Sequence, residues 1–106
     1  MYPNRYIIAI YIIHKTDEFI GWLTKLKDLS AKAKIAIRIT RIEDGAFGEH
    51  RNLGKGLAEL KIDYGPGYRV YYTIEGEKIV LLLVGGDKST QDRDITKARQ
   101  MIKELK

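Results

Sequence analysis

Apolar and polar residues alternate along the second half of the chain in a pattern typical of consecutive β-strands. Three strand-like runs are separated by turns that contain glycine: 57–62, 68–74 and 78–84. Pro66 and Gly67 suit the central positions of a type II turn, since proline fixes φ at the first and glycine accepts a positive φ at the second. The stretch 79–84 has no polar residue, which indicates a central strand covered on both faces. We therefore predict three neighbouring antiparallel strands.

The alternation also assigns side chains to the two faces of this sheet. With a period of two, Tyr68 and Tyr72 belong to the core face, whereas Lys61, Arg69 and Tyr71 belong to the other face. A tyrosine on the second face is free to stack on a base. Tyr71 is therefore a candidate RNA-binding residue.

The remaining chain is predicted to contain one more strand and three helices. The apolar run 6–13 predicts a buried strand, since it is too short to span a membrane. Apolar residues at helical spacing predict helices that begin after Thr16, at Ser30 and at Ser89. The predicted order is β-α-α-β-β-β-α. This is a single α+β domain over residues 1–106, with an antiparallel sheet and the helices packed on one face.

The composition adds expectations about partners and cofactors. The 106 residues carry a formal net charge of +5, which favours an anionic partner such as nucleic acid or an acidic protein. The chain has no cysteine, which excludes disulfides, thiolate zinc sites and cysteine nucleophiles. His14 and His50 lack a third ligand at metal spacing, so we expect no metal ion and no cofactor. Since no signal-peptide cleavage site follows the first apolar run, we expect a cytoplasmic protein.

One group of basic residues lies on the second predicted helix. Lys34, Arg38 and Arg41 recur at i, i+4 and i+7 and form a basic stripe beside the apolar face. Such a stripe is either a solvated surface or a contact for a polyanion. These three residues are our candidates for RNA binding outside the sheet.

A second group of basic residues predicts a site for a phosphodiester. Lys61 and Arg69 share a sheet face, and Lys88 follows the last strand at the start of a helix. Their charges can stabilise a pentacoordinate phosphorus. In RNA the 2′-hydroxyl can act as the nucleophile, so neither a metal ion nor a covalent enzyme intermediate is required. The alternative is that Lys61 and Arg69 pair with Glu59 or Glu75 on a solvated face.

Several blocks of the sequence are recognisable when they are read together. They are WLxxLKD at 22–28, RIxRIxxGxFG at 38–48, ELKI at 59–62, YGPGYRVYY at 64–72 and LLLxGGDKSTQxxDI at 81–95. With these blocks the chain resembles the RelE/ParE superfamily of toxin proteins. More narrowly, it resembles the HigB-like, phage-derived branch of addiction module killer proteins.

The resemblance implies the toxin of a bacterial type II toxin–antitoxin system with a RelE-like fold. Many relatives cut mRNA in the ribosomal A site. They are neutralised by a cognate antitoxin, and the complex of the two proteins commonly binds its own operator DNA. By this resemblance the present chain is an mRNA endoribonuclease that depends on the ribosome and inhibits translation.

The resemblance also implies roles for individual residues. It assigns a catalytic arginine to Arg69 and basic catalytic positions to Lys61 and Lys88. The proton-transfer residue has no counterpart in the motif, and the candidates are His50, Asp87 and Tyr71; we include His50 among the catalytic residues. Two other functions remain open at this point. One is a ParE-like inhibitor of DNA gyrase that cuts nothing, and the other is a nucleic-acid-binding module without catalysis.

Overall fold

The computed structural model describes residues 10–105, which fold into five strands and three helices. In chain order these are β1 Ile12–Lys15, α1 Asp17–Lys25, α2 Leu29–Ile42, β2 His50–Gly54, β3 Leu57–Ile62, β4 Tyr68–Glu75, β5 Ile79–Asp87 and α3 Gln91–Glu104. One 3-10 turn, Lys88–Thr90, joins β5 to α3. Among these helices none combines the length and the apolar character that crossing a membrane requires.

The strands form one sheet in the order β1-β5-β4-β3-β2. β1 is parallel to β5, and the other neighbours are antiparallel. The predicted α+β class is confirmed, but the sheet is mixed and not fully antiparallel. Half of the predicted first strand, 6–13, lies outside the described residues. Of the described half, Ile12 and Ile13 belong to β1, which continues to Lys15.

β2 is a strand that the alternation did not predict. His50–Gly54 pairs with β3 and is interrupted by a bulge between Asn52 and Gly54. Its five residues include no alternating apolar pair, so the segment resembles a loop in the sequence. The hairpin turn uses Lys55 with a φ of 53°, between two glycines that also have positive φ. This extra strand widens the sheet beside the predicted basic site.

The helices cover both faces of the sheet, which corrects the prediction that they share one. On the first face α1 and α2 pack against side chains such as Leu60, Val70 and Leu82. On the second face α3 packs through Ala98 against Tyr71 and other apolar residues of β3 and β5. The physical reason is that β5 presents apolar side chains on both of its sides, and each side must be buried.

Two glycines in β5 allow helices to approach the sheet closely on both faces. A Cβ atom on Gly85 would overlap the ring of Trp22 in α1, and one on Gly86 would overlap the carboxylate of Asp94 in α3. Neither glycine has a positive φ, so the requirement at these positions is for space. The pair fixes the positions of α1 and α3 relative to β5.

The start of α1 agrees with the prediction, whereas the starts of α2 and α3 differ from it by a few residues. Thr16 caps α1 as predicted, because its Oγ1 accepts a hydrogen bond from the Phe19 amide at 3.0 Å. α2 is capped by Asp28 and not by Ser30. The capping box before α3 is formed by Asp87 and Thr90, and not by Ser89. In both corrected cases a side chain upstream of the predicted cap reaches the free amides first.

Candidate active site

A row of charged side chains crosses the second face of the sheet from β2 to β4. With His50 they line a cavity of about 310 Å³, here named the charged cleft: Glu49, Arg51, Glu59, Lys61 and Arg69. The register explains the row, because Arg51 is opposite Glu59 and Lys61 is opposite Arg69 in the sheet. Side chains at opposite positions share a face and lie next to each other.

Arg69 is the most buried cation of the charged cleft. Its side chain is 7% exposed, and Nη1 donates a hydrogen bond of 2.8 Å to the carbonyl of Gly67. Its Nε is 3.9 Å from Oε1 of Glu59, a distance that allows attraction but not a hydrogen bond. Within residues 10–105 this Nε has no hydrogen-bond partner. Such a guanidinium is suited to bind an anionic group that enters the cleft.

Glu59 is the functional candidate that sequence reasoning missed. Its side chain is 4% exposed, and Oε2 is 3.1 Å from Nη2 of Arg51. The other oxygen, Oε1, is buried and has no hydrogen-bond partner in the described part of the chain. Glu59 is thus the most buried carboxylate of the charged cleft, and it lies between the two arginines. The signal was present, because period two places Glu59 on the same face as Lys61, but we assigned it only to ion pairing.

Lys61 is the more solvated cation of the pair on β3 and β4. Its Nζ is 3.8 Å from Oε2 of Glu49, and both side chains are about half exposed. The ion pairs of the alternative interpretation therefore exist in part: Arg69 faces Glu59, whereas Lys61 faces Glu49 and not Glu75. A loose, exposed ion pair is worth little in water. Lys61 is thus available to a phosphate group.

Lys88 lies at the same corner of the molecule as Arg69, beyond the end of β5. Gly67 lies between the two residues. A Cβ atom there would be 3.3 Å from Nη1 of Arg69 and 3.7 Å from Cβ of Lys88. The side chain of Lys88 is exposed. The structure therefore brings Arg69, Lys61 and Lys88 to one region of the molecule.

His50 and Asp87 do not have the positions that proton transfer in the cleft requires. His50 borders the charged cleft, but it is opposite Leu60 in the sheet. Its ring therefore lies on the first face, where it packs on Phe47 at 5.5 Å between ring centroids. Asp87 caps the turn before α3, and its Oδ1 accepts a hydrogen bond from the amide of Ser89 at 2.8 Å. Across residues 10–105 no three His, Cys, Asp or Glu side chains are grouped to hold a metal ion.

Tyr71 is fully buried, which corrects its assignment as a base-stacking residue. Strand alternation placed it correctly on the second face, but α3 covers that part of the face. Burial, together with the carboxylates of Glu59 and Asp94, raises the pKa of Tyr71 well above its usual value. The hydroxyl is therefore protonated at neutral pH and does not act as a general base.

Replacing Tyr71 with phenylalanine is expected to stabilise the protein by about 1 kcal/mol, because a buried polar group without a partner costs free energy. No described residue forms a hydrogen bond with this hydroxyl. Urea denaturation followed by circular dichroism measures the change. Tyr64→Phe, at a half-exposed tyrosine, is the matched control and should change the free energy of unfolding by less than about 0.5 kcal/mol. A loss of stability in Tyr71→Phe would mean that the hydroxyl has a partner.

The basic stripe of α2 lies on the opposite side of the sheet from the charged cleft. Arg38 is used internally, since Nη1 donates to the carbonyl of Lys61 at 2.6 Å and Nη2 donates to the carbonyls of Phe47 and Glu49. Burial lowers the pKa of Arg38, although a guanidinium remains charged in proteins. Arg38 thus holds the loop before β2 and is removed from the RNA-binding candidates.

The other two residues of the basic stripe remain accessible. Lys34 places Nζ 5.1 Å from the centre of the Tyr64 ring, and the side chain of Arg41 is exposed. Because α2 covers the first face and the charged cleft is on the second, Lys34 and Arg41 do not line the same site as Arg69.

Comparisons with known proteins agree with this fold. Residues 21–103 match the family model described as "Phage derived protein Gp49-like (DUF891)". An uncharacterised protein of Haemophilus influenzae Rd is 50% identical over 93 residues, which is 88% of this chain and 94% of that protein. A double arginine-to-alanine mutant of the Escherichia coli toxin RelE, solved in the free state, superposes with a TM-score of 0.72.

The likeness to RelE concerns the fold. The superposition covers 90% of this chain and 99% of that structure, at 15% sequence identity. It confirms the predicted RelE-like fold. The family model covers most of the chain, and the Haemophilus protein matches over nearly its whole length. The protein therefore belongs to the family of phage-derived, Gp49-like proteins.

Proposed function

We propose that this protein is the toxin of a type II toxin–antitoxin pair and that it cuts mRNA on the ribosome without a metal ion. One observation carries the proposal: in the charged cleft a buried arginine and a buried glutamate face each other, next to the more exposed Lys61. Cleavage of RNA by its own 2′-hydroxyl uses a group that accepts the hydroxyl proton and a cation that stabilises the charge on phosphorus, and the cleft contains one candidate for each. Membership of the Gp49-like family and the RelE-like fold support the toxin assignment.

In the proposed reaction Glu59 removes the proton from a 2′-hydroxyl. The oxygen attacks the adjacent phosphorus, and the guanidinium of Arg69 stabilises the added negative charge. The bond from phosphorus to the 5′-oxygen then breaks, and that oxygen takes a proton from water. The hydroxide that remains takes the proton from Glu59, which returns to its carboxylate form. The products are a 2′,3′-cyclic phosphate and a 5′-hydroxyl. Lys61 and Lys88 hold the flanking phosphates in place.

The proposal includes partners that follow from the toxin assignment. A cognate antitoxin would neutralise the protein, and operator DNA would be bound only by the complex of the two. The substrate would be mRNA in the ribosome, and the site of action would be the cytoplasm. The HigB-like branch of the superfamily is the proposed subgroup.

The test of the proposal is brief induction of the protein in a bacterium, followed by mapping of RNA 5′ ends and measurement of the SOS response. We expect new 5′ ends inside translated frames and an arrest of protein synthesis before any SOS signal. The Glu59→Gln variant should reduce the number of new ends by about 10²–10⁴-fold, the usual range for loss of a general base. Glu49→Gln, which changes an exposed carboxylate in the same cleft, is the matched control and should cut RNA as the wild type does.

An SOS response with intact RNA would contradict the proposal and would favour inhibition of DNA gyrase. Harmless induction of a folded protein would leave only a nucleic-acid-binding module. In that case, binding would weaken steeply as the salt concentration rises.

A further inference from the structure

The outward face of α2 carries a second row of apolar and small side chains. Ala31, Ile35, Ile39 and Ile42 bury the inner face against the sheet. The outer row, here named the outer stripe, lies at i, i+4, i+7, i+8 and i+11: Leu29, Ala33, Ala36, Ile37 and Thr40. This spacing places the five residues on one side of the helix, over a length of about 17 Å.

The outer stripe is exposed to solvent. Leu29 is 77% exposed and Ile37 is 50% exposed, the first of these being the most exposed large apolar residue in the described part of the chain. The three smaller residues between them are also exposed. A helix that is apolar on two opposite faces normally buries both, and clustered exposed apolar side chains mark a binding surface.

The charges around the outer stripe indicate what kind of partner fits it. α2 contains four cations and no acidic residue. Arg38 is turned inward to backbone carbonyls, and Nζ of Lys32 donates to the carbonyl of Thr24 in α1 at 3.0 Å. Lys34 and Arg41 are left along one edge of the stripe. A partner that covers the stripe therefore meets positive charge along that edge.

This charge pattern disfavours a second copy of the chain as the partner. In a two-fold symmetric contact the same surface is used twice, so cations of one α2 would approach those of the other. It also disfavours nucleic acid, because phosphates would pair with Lys34 and Arg41 but would leave the apolar row exposed. An amphipathic helix can use both features, since its apolar face covers the row and its carboxylates pair with the cations.

We propose that the outer stripe of α2 is the docking surface for an acidic amphipathic helix of another protein. The helix lies along α2 with its apolar residues on Leu29, Ala33 and Ile37. Acidic residues on its flank face Lys34 and Arg41. The surface is on the opposite side of the sheet from Arg69, so this inference does not depend on the proposed cleavage of RNA.

A pair of stapled helical peptides tests the proposal with the full-length protein. Both carry leucines at i, i+4, i+7 and i+11 on one face; one has glutamates along the flanks and the other has lysines. Isothermal titration should show that the acidic peptide binds at least about tenfold more tightly than the basic one. The Ile37→Glu substitution should lower the affinity for the acidic peptide by at least about tenfold. The Leu105→Glu substitution, at an exposed leucine after α3, should leave that affinity unchanged.

A charge exchange makes the test specific for the edge of the stripe. In the double variant Lys34→Glu and Arg41→Glu the preference should reverse, so that the basic peptide binds more tightly than the acidic one. The proposal would be overturned if the two peptides bound the wild type with equal affinity. It would also be overturned if the acidic peptide bound the Ile37→Glu variant as tightly as the wild type. Sedimentation of the wild type as a dimer that Ile37→Glu dissociates would assign the surface to a second copy. Displacement of the acidic peptide by an RNA oligonucleotide would assign it to nucleic acid.

Discussion

Replacing Arg69 with alanine is expected to lower the rate of RNA cleavage by about 10²–10³-fold, the usual cost of removing a group that stabilises transition-state charge. The side chain is buried in the charged cleft, and its Nε has no hydrogen-bond partner within residues 10–105. The burial and the hydrogen bond from Nη1 to Gly67 hold the guanidinium in a fixed position, so its charge would be in place when negative charge develops on phosphorus. Cleavage of mRNA by purified protein and ribosomes measures the effect.

The Arg69→Ala variant is expected to remain folded. Truncating one partner of a buried ion pair is often strongly destabilising, because the other charge stays buried and unpaired. Here Glu59 keeps a second cation, since Nη2 of Arg51 lies 3.1 Å from its Oε2. Arg93→Ala, at a largely exposed arginine outside the charged cleft, is the control and should retain full activity. A folded Arg69→Ala protein with wild-type activity would remove Arg69 from the mechanism.

Replacing Gly85 with alanine is expected to destabilise the protein by about 3 kcal/mol, at the upper end of the usual cost of overpacking. The new methyl group would overlap three ring atoms of Trp22. The ring has little room to move, because it also packs on Phe19 and Tyr68. Urea denaturation followed by circular dichroism measures the change, since the fluorescence of Trp22 would itself be altered.

Gly21→Ala is the matched control for Gly85→Ala. Gly21 lies within α1, has no positive φ and would place its Cβ in open space. Alanine is the better helix former, so this variant should gain about 0.5–1 kcal/mol of stability. If Gly85→Ala were as stable as the wild type, α1 would not pack on β5 as closely as the structure has it.

The parts of the fold that follow from local pattern were predictable from the sequence. The alternation and turn residues located β3, β4 and β5, and helical spacing located α1, α2 and α3. β2 was not predictable in this way, because His50–Gly54 has no apolar alternation and depends on distant partners. It pairs with β3, and Arg38 in α2 holds the residues before it through their carbonyls.

The sequence was sufficient to predict which cations share the candidate site. It was not sufficient to predict which neighbouring residues are buried there. Period two placed Lys61 and Arg69 on one face, and the structure makes them direct cross-strand partners. The same reasoning could not show that α3 would cover the second face over Tyr71. For that reason Tyr71 was assigned to base stacking although it belongs to the core. Glu59 was on the correct face, but only its burial and its free oxygen distinguish it from an exposed ion-pair partner.

The most direct test of the proposed mechanism is the chemistry of the RNA ends. Ribosomes carrying a short mRNA would be incubated with the purified protein, with the mRNA either all-ribose or with a single 2′-deoxynucleotide at the mapped cut. If Glu59 activates the 2′-hydroxyl and Arg69 stabilises the phosphorane, the all-ribose mRNA should yield a 2′,3′-cyclic phosphate and a 5′-hydroxyl, and the deoxy mRNA should stay intact. Cleavage of the deoxy mRNA at the same position, or fragments with 5′-phosphates, would contradict the mechanism.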